Sequence, residues 1–270
     1  MNKTLGIRKK TIKDFNNQWK LQGELNSDYW ASDDVLIDQF DNIFSIEDIN
    51  DKIVADIGAG TGRVVKTFLK YKPKKIFAVE PSDVGIAKIT RDFQQNENLK
   101  IIQSDGLNFK TQQECDYIFS LGVIHHIKQP TDVLANIRNN LKKNGKIIIW
   151  VYGYENNLLY ISFYKLFSKI TKYLPDRFLY LVSNFLNLLL QPYIFLCKFL
   201  NLPLKGYLLK VFNKFGWAKR NDVIFDQLNP EYAKYYKKEE ILQELTDAGF
   251  SNLIISHRHN YSWTVVGENI

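Results

Sequence analysis

The sequence predicts an α/β protein built on a doubly wound sheet. Short apolar runs recur through the middle of the chain, helical patterns separate most of them, and a glycine-rich turn follows the first run. The runs are mostly β-branched or aromatic and apolar at successive positions, as expected of parallel strands that are covered on both faces. Repetition of strand and helix then gives an open sheet wound in both directions. The predicted strands cover residues 52–55, 75–79, 99–102, 117–121 and 146–151.

Helical patterns between these strands are expected at residues 62–71, 83–95 and 131–143. Asn144 and Gly145 are expected to end the last of them as a C-cap. Near the C-terminus, a helix at residues 237–248 ends at Gly249, and two β-rich stretches follow at 251–257 and 261–266. We expect this last pair to complete the sheet as an antiparallel hairpin.

A chain of 270 residues, 45% of them hydrophobic, can bury one large core and carry a substantial insertion. An insertion after the fifth strand lies above the carboxyl edge of the sheet, where ligands bind. Phe15 and Trp19 in the N-terminal helix could close over that edge, or only pack in the core, and Tyr29 and Trp30 follow in the same arm. The predicted segments are an N-terminal arm with helices (1–50), a ligand-binding core (51–154), a helical cap (155–235), and a final helix and strands (236–270).

The net charge of +7 is concentrated in the predicted cap. Residues 156–222 contain ten Lys or Arg and two acidic residues, a net charge of +8, so the rest of the chain sums to −1. The same segment is rich in Leu, Phe and Tyr. Its partner is therefore an anionic membrane surface, an acidic substrate, or only solvent.

The first fifteen residues are charged and lack the apolar run of a secretory signal, so export is not expected. Cys115 and Cys197 lie far apart and form no CxxC pattern, which indicates neither a disulfide framework nor a zinc site. These features predict a protein of the cytoplasm that holds no metal.

The most informative motif is DIGAGTGR at residues 56–63, which follows the first predicted strand and opens a helix. Glycines allow a turn with positive φ and let a ligand approach the backbone without a Cβ in the way. The dinucleotide fingerprint reads GxGxxG, whereas here Gly62 comes one place early and Arg63 replaces the third glycine. A nucleotide-like ligand is expected at this turn, and a nicotinamide or flavin dinucleotide is disfavoured.

Acidic residues lie at the ends of three successive predicted strands: Asp56, Glu80 and Asp105, the last followed by Gly106. Asp56 is of the type found near an amino group of the ligand, Glu80 can accept hydrogen bonds from both ribose hydroxyls, and Asp105 can accept one from an adenine amino group. A nicotinamide-dependent oxidoreductase would need the turn and Glu80 but would leave Asp105 without a role. The alternative is that these carboxylates only cap turns.

Five motifs together resemble class I S-adenosylmethionine (SAM) dependent methyltransferases over residues 53–152: DIGAGTGR (56–63), VEPS (79–82), SDG (104–106), SLGVIHHI (120–127) and LKKNGKIIIWVYG (141–153). The VIHHI segment is similar to the small-molecule branch, which includes quinone methyltransferases. The C-terminal tail resembles uncharacterised bacterial methyltransferases, some of them associated with surface-polysaccharide pathways. The resemblance implies a Rossmann-like fold, SAM as methyl donor and S-adenosylhomocysteine as product. The implied cofactor residues are Asp56, Gly58, Ala59, Gly60, Gly62, Glu80, Pro81, Asp105, Gly106 and Leu121.

Methyl transfer from a sulfonium is an in-line displacement, so the protein mainly aligns the reactants and excludes water. An acceptor hydroxyl or acidic C–H also needs a base, and histidine titrates in the useful range. His125 and His126 follow the fourth strand, and the resemblance implies that His126 faces the acceptor; the alternative is that both only cap the loop. Predicted acceptor-binding residues are Tyr152, Tyr154, Tyr232 and Tyr236, with Asp226, Gln227, His257, His259 and Tyr261 as further candidates.

The predicted acceptor is a small molecule, a saccharide or a lipid-linked molecule. The segment Asn-Pro-Pro-Tyr, with which amino-directed nucleic-acid methyltransferases grip a flipped base, is replaced here by Ser120-Leu121-Gly122-Val123, so a nucleic acid is not expected. Two other functions stay open: a nicotinamide-dependent oxidoreductase, and a non-catalytic membrane-associated nucleotide-binding protein.

The predicted cap contains two apolar helical segments. Residues 158–173 form an amphipathic pattern with a basic face, and residues 178–197 contain no charge over twenty positions. Asn184, Asn187 and Gln191 share one side of the second segment, and Pro192 is expected to interrupt its helix. A membrane span is therefore disfavoured. A cap that encloses the substrate, peripheral contact with the inner face of the membrane, and an oligomer interface remain.

Overall fold

The computed structural model of the protein describes residues 2–21, 32–158, 160–162, 171, 174–228 and 232–270. Most of the predicted amphipathic helix at 158–173 lies outside this part of the chain. The same holds for Tyr29 and Trp30 of the N-terminal arm.

The core of the molecule is a seven-stranded sheet in the order β3-β2-β1-β4-β5-β7-β6. The first five strands are parallel, and β7 pairs antiparallel with β5 and β6. This confirms the predicted doubly wound sheet with its C-terminal hairpin. The strands are β1 (Ile53–Ile57), β2 (Lys75–Glu80), β3 (Leu99–Gln103), β4 (Cys115–Leu121), β5 (Leu141–Tyr152), β6 (Ser251–Arg258) and β7 (Ser262–Glu268).

Helices cover both faces of the sheet, because the strands are apolar on both. One face packs against α2, α3 and α4, and the other against α5 and α9. The α-helices are α1 (Asn2–Leu21), α2 (Asp33–Phe40), α3 (Arg63–Lys70), α4 (Asp83–Phe93), α5 (Thr131–Asn139), α6 (Asp176–Cys197), α7 (Lys205–Lys210), α8 (Trp217–Leu228) and α9 (Lys238–Asp247). Short 3-10 turns lie at Ile46–Ile49, Ile124–His126 and Phe212–Lys214.

Strand β1 sets the position of the site. All five of its residues are buried, and it pairs with β2 on one side and β4 on the other. The chain therefore winds outward in opposite directions from β1 and β4, and their carboxyl ends leave a crevice between the loops that follow. Ligands of doubly wound folds bind at such a switch point.

Helix α5 ends at Asn139, four residues before the predicted boundary. The Asn140 side-chain oxygen accepts hydrogen bonds from the backbone N–H and hydroxyl of Thr111, at 2.8 and 2.9 Å. Leu141 already pairs with Cys115 in the sheet. Asn144 adopts positive φ, as a C-cap residue would, but it does so inside β5, so the predicted C-cap is wrong.

The cap contains α6, α7 and α8, which pack around a third apolar cluster of their own. Val35 of α2 belongs to that cluster, which joins the cap to the core. Helix α6 continues through Pro192, contrary to the predicted interruption. Proline deprives the carbonyl four residues earlier of its partner. That carbonyl belongs to Leu188, which lies on the exposed face of the helix, where water can replace the lost donor.

Candidate active site

The glycine-rich turn joins β1 to α3 and folds back over the end of β2. The backbone N–H groups of Gly58 and Ala59 both donate to the carbonyl oxygen of Val79, at 2.8 and 3.0 Å. Gly58 has φ +75°, and a Cβ at this position would lie 2.4 Å from a methyl carbon of Val123. Gly62, with φ +88°, packs against Ile89 and Phe93 of α4 and does not line the cavity. The turn therefore requires glycine for both its conformation and its packing.

Asp56 at the end of β1 is almost completely buried, and its Oδ2 atom has no hydrogen-bond partner among the described residues. Burial raises the pKa of Asp56 to about 7, while the charge of Arg63 lowers it and that of Glu80 raises it. A buried carboxylate oxygen without a donor is costly unless a ligand supplies one. Because Asp56 lines the large cavity above the sheet, a ligand ammonium group can supply that donor.

Glu80 at the end of β2 holds the turn in place. Its two carboxylate oxygens accept hydrogen bonds from the backbone N–H groups of Gly60 and Ser82, each at 2.8 Å. Burial raises the pKa of Glu80 to about 7, although these two hydrogen bonds lower it. Each carboxylate oxygen has a second lone pair, so both can still accept a hydrogen bond from a ribose hydroxyl.

Asp105, after β3, shapes its own loop. Its Oδ1 atom accepts hydrogen bonds at 3.1 Å from the backbone N–H groups of Leu107 and Asn108. Asp105 lines the same cavity as Asp56 and Glu80, so the three predicted acidic strand ends converge on one space. Contact between Asp105 and an adenine ring stays a prediction. The other predicted cofactor residues at this cavity are Gly58, Ala59, Gly60, Pro81, Gly106 and Leu121.

Helix α1 lies over the glycine-rich turn. A Cβ at Gly60 would lie 3.3 Å from ring carbon Cζ2 of Trp19. The helix is anchored by the side-chain oxygen of Asn16, which accepts from the backbone N–H of Val84 at 3.1 Å. Lys88 donates to the carbonyl oxygen of Trp19, also at 3.1 Å. Phe15 and Trp19 both line the cavity, so α1 covers the cofactor end of the site, the first of the two predicted alternatives.

The two histidines lie on the 3-10 turn that follows β4, but they have different surroundings. His126 lines the cavity, and its Nδ1 lies 3.0 Å from the carbonyl oxygen of Tyr232. That carbonyl can only accept, so Nδ1 carries the proton and Nε2 keeps its lone pair. Burial lowers the pKa of His126 to about 4, and the ring is neutral at neutral pH. His126 thus has the protonation state of a general base.

His125 is fully buried and does not line the cavity. Neither of its ring nitrogens has a hydrogen-bond partner among the described residues. Burial lowers the pKa of His125 well below its usual value. Its ring packs against Tyr152, with the ring centroids 3.9 Å apart. His125 therefore acts as a neutral aromatic spacer under the acceptor end of the site.

Gln227 of α8 organises a polar cluster at the boundary between core and cap. Its Nε2 donates to the hydroxyl oxygen of Tyr152 at 2.9 Å, and its Oε1 accepts from the hydroxyls of Tyr160 and Tyr235 at 2.5 and 3.1 Å. All four side chains line the cavity. Tyr160 and Tyr235 were not among the predicted residues, because they belong to irregular or cap segments that only the folded chain brings beside β5.

Three of the four predicted acceptor tyrosines lie away from the cavity. Tyr236 is buried in the core and donates its hydroxyl to Glu244 at 2.9 Å. Tyr232 contributes its carbonyl oxygen to His126, and Tyr154 lies beside Lys237. The structure therefore brings only Tyr152 of this set to the site.

Among the five further candidates, Asp226, Gln227 and Tyr261 line the cavity. His257 stacks on Trp263 with the ring centroids 3.9 Å apart, and the Nε2 of His259 lies 2.8 Å from Asp38. The two latter histidines belong to the packing of β6 and α2. Neither of them is among the described residues that line the cavity.

The cavity is continuous and has a volume of about 1070 Å³. It extends from the glycine-rich turn past His126 and the Gln227 cluster into the cap. This is the upper end of the range for ligand pockets, about 300–1000 Å³, and leaves room for a cofactor and an acceptor together. We call its far end the cap limb, which is lined by Leu186, Leu190, Tyr193, Leu204, Tyr207, Leu208, Val211, Phe212, Phe215, Val223 and Ile224.

Two observations indicate that SAM fits the cofactor end of the cavity. The unpartnered oxygen of Asp56 suits an ammonium group, and the turn at Gly58 and Gly60 leaves the space that a Cβ would fill. Asp56, Glu80 and the turn would hold the methionine and ribose parts of SAM. Residues 55–147 match a sequence family described as a methyltransferase domain. This part of the chain is a class I SAM-dependent methyltransferase domain.

Curated relatives include tRNA U34 carboxymethyltransferases. That of Pseudoalteromonas atlantica is 26% identical over 119 residues, which are 42% of this chain and 37% of the relative. That of Helicobacter pylori is 32% identical over 117 residues, 41% of this chain and 44% of the relative. The chain thus matches less than half the length of these relatives.

Solved structures share the fold over nearly the whole chain. A SAM-dependent methyltransferase from Aquifex aeolicus has a TM-score of 0.52 at 13% identity, covering 95% of this chain and 98% of its own. The N-methyltransferase NodS from Bradyrhizobium japonicum, in complex with S-adenosylhomocysteine, has a TM-score of 0.52 at 9% identity. The match covers 96% of this chain and 98% of NodS. At such identities the likeness shows the fold.

Gly60→Arg should abolish SAM binding, because the new side chain must enter the space between the turn and Trp19. The measurement is isothermal titration with SAM and S-adenosylhomocysteine. Gly6→Arg on the exposed surface of α1, where a Cβ meets no atom within 4 Å, is the matched control and should bind normally. Undiminished binding by Gly60→Arg would show that the cofactor lies elsewhere.

SAM affinity should fall with falling pH below about 7, where Asp56 and Glu80 take up protons and lose the charge that the ligand needs. One such carboxylate predicts a loss of about tenfold per pH unit. Titrations between pH 7.5 and pH 5.5 would measure it, with Asp56→Asn and Glu80→Gln as comparisons. Each variant should bind more weakly and with a shallower pH dependence. An unchanged slope in both would contradict these roles.

Proposed function

We propose that this protein transfers a methyl group from SAM to an acceptor that lies between His126 and the Gln227 cluster. The observation that carries the proposal is the single cavity that joins the glycine-rich turn, His126 and the cap limb. A methyl donor held at the turn and an acceptor held in the cap limb would meet beside His126. Helix α1 on one side and the cap on the other would exclude water from that point.

Bound SAM supplies an electrophilic methyl carbon on its sulfonium. In the proposed reaction, the acceptor oxygen or carbon forms a bond to this methyl group while the carbon–sulfur bond breaks, and S-adenosylhomocysteine leaves. His126 Nε2 accepts the proton that the acceptor loses. Its hydrogen bond to the Tyr232 carbonyl supports the ring as it becomes an imidazolium ion, because Nδ1–H is the donor in both states.

The lining of the cap limb favours an acceptor with an apolar body, which includes small aromatic and lipid-linked molecules. Leucine, valine and phenylalanine side chains dominate this limb, whereas polar groups line the cavity at the Gln227 cluster and at the charged side chains Arg63, Lys219, Asp226 and Arg258. Such a limb would leave the hydroxyls of a bare saccharide without partners, at a cost of roughly 1–3 kcal/mol each. A polar head at the Gln227 cluster and an apolar part in the limb satisfy both regions.

A second candidate acceptor is tRNA, because the curated relatives carry the name of an enzyme of tRNA U34. The apolar lining of the cap limb argues against it, since a nucleotide brings many polar groups. Transfer of labelled methyl from SAM into a cell lysate separates the classes. The label should appear in the lipid or small-molecule fraction. Label in the tRNA fraction would contradict the proposed acceptor and favour tRNA instead.

His126→Ala should lower turnover by about a hundredfold or more, the usual contribution of a general base, with little change in SAM affinity. Single-turnover methyl transfer and calorimetric titration would measure the two quantities. His125→Leu is the matched comparison at the neighbouring position, with a side chain of similar volume. It removes a buried imidazole whose nitrogens have no hydrogen-bond partner among the described residues, so turnover should persist and thermal stability should not fall. Equal losses of turnover from both changes would contradict the role of His126.

A further inference from the structure

The outer face of α6 is apolar and exposed. Nine of the fifteen large hydrophobic side chains that are exposed in the described part of the chain lie between residues 178 and 200. They follow helical spacing along one side of α6 and just beyond its end, with exposed fractions between 45% and 71%. We call this the outer stripe, which consists of Phe178, Leu181, Phe185, Leu188, Leu189, Phe195, Leu196, Phe199 and Leu200. Contiguous apolar surface of this extent on a water-soluble protein marks a site of interaction.

The inner face of the same helix is already occupied. Ser183, Asn187, Ile194 and Cys197 are buried against the cap. Asn187 donates to the side-chain oxygen of Asn221 on α8 at 2.9 Å. Helix α6 therefore packs its inner face against other described residues, whereas its outer stripe is exposed in the described part of the chain.

Basic side chains lie at both ends of the outer stripe. Between residues 177 and 221 there are seven Lys or Arg and no Asp or Glu, and Asp176 and Asp222 adjoin this segment. Arg177 precedes Phe178 at one end, and at the other end the Lys198 ammonium lies 5.9 Å from the centre of the Phe195 ring. Lys210 and Lys214 are exposed on the following segment. An apolar stripe bounded by cations has the chemistry of a helix that rests on an anionic bilayer.

We propose that α6 is the docking surface of the protein for an anionic membrane, and that it lies parallel to the bilayer plane with the outer stripe in the headgroup–acyl boundary. Trp217 supports this orientation. Its indole is half-exposed and donates to Asn184 at 3.3 Å, at the edge of the stripe, where amphipathic aromatic side chains anchor proteins at membrane interfaces.

The distribution of charge argues against a second copy of this chain as the partner that covers the outer stripe. In an antiparallel pairing of two outer stripes, Arg177 of one copy would approach Lys198 of the other, and a parallel pairing would bring identical cations together. Asp176, next to Arg177, offsets one of these charges, so each end of an antiparallel pair would still carry a net positive charge. Anionic headgroups neutralise the same cations.

Packing argues against a membrane span. By length and composition, the segment Arg177–Cys197 could cross a bilayer. A crossing would place the Asn187–Asn221 pair and the attached α8 in hydrocarbon, or would break these contacts. If α6 lies in the membrane interface, its inner face keeps its contacts with the cap while its outer stripe contacts the lipid.

The docking surface and the cap limb share α6. Leu186, Leu190 and Tyr193 line the limb, while Phe185, Leu188 and Leu189 belong to the outer stripe. If the proposed methyl transfer is correct, an acceptor with an apolar chain would need to move past only one helix between bilayer and cavity. Membrane docking itself does not depend on that activity.

Co-sedimentation with vesicles of neutral phosphatidylcholine, with and without anionic phosphatidylglycerol, tests the proposal. The full chain should bind the anionic vesicles and release at high salt. Phe185→Ser with Leu188→Ser should weaken binding by at least about tenfold through loss of buried apolar area. The matched control, Ile37→Ser with Ile254→Ser, removes two exposed apolar side chains elsewhere and should bind normally. Arg177→Gln with Lys198→Gln should reduce the preference for the anionic lipid.

SAM titration and thermal melting of the same variants verify folding, so loss of vesicle binding is distinguishable from loss of structure or of the proposed activity. Three results would overturn the proposal. The first is equal binding by the outer-stripe variant and the wild type, or no binding by either. The second is a lipid-free dimer, seen by light scattering, that the outer-stripe variant dissociates. The third is resistance of bound protein to alkaline carbonate extraction, which indicates a span.

Discussion

The hydrogen bonds from Gly60 and Ser82 to the Glu80 carboxylate tie the loops after β1 and β2 into one unit. The rest of the cofactor end depends on this tie, because it keeps the glycine-rich turn open beneath Trp19 of α1. Burying two carboxylates is unfavourable, and the desolvation that raises the pKa values of Asp56 and Glu80 expresses that cost. The arrangement therefore suits a ligand that brings a positive charge and hydroxyl donors.

The acceptor end of the cavity is formed mostly by the cap rather than by the loops that follow the strands. Gln227 reaches from α8 to Tyr152 on β5, so the cap and the sheet meet in one hydrogen-bonded cluster. Helix α6 lines this space with its inner face and leaves its outer stripe exposed. One helix thus separates the proposed acceptor pocket from the proposed membrane surface. If both proposals hold, the chemical class of the acceptor and the membrane location of the protein have the same structural origin.

His125 and His126 are neighbours with the same side chain, yet they lie in different environments. A 3-10 turn rotates successive side chains by about 120°, so one ring enters the cavity while the other enters the core. Only His126 gains a hydrogen bond to a backbone carbonyl, that of Tyr232, which is 106 positions away in the chain. Such a difference has no trace in the local sequence, and the resemblance to a family had to supply the choice between them.

The sequence by itself predicted the strands of the core, the glycine-rich turn and the three acidic strand ends, because apolar runs and turn glycines are dictated by local geometry. It misplaced the end of α5 and the break at Pro192, where a long-range hydrogen bond and solvent exposure override local signals. Only the tertiary structure decided which tyrosines reach the cavity and which side of α6 remains uncovered. Those outcomes depend on packing between segments far apart in the chain, which no periodicity within a single segment records.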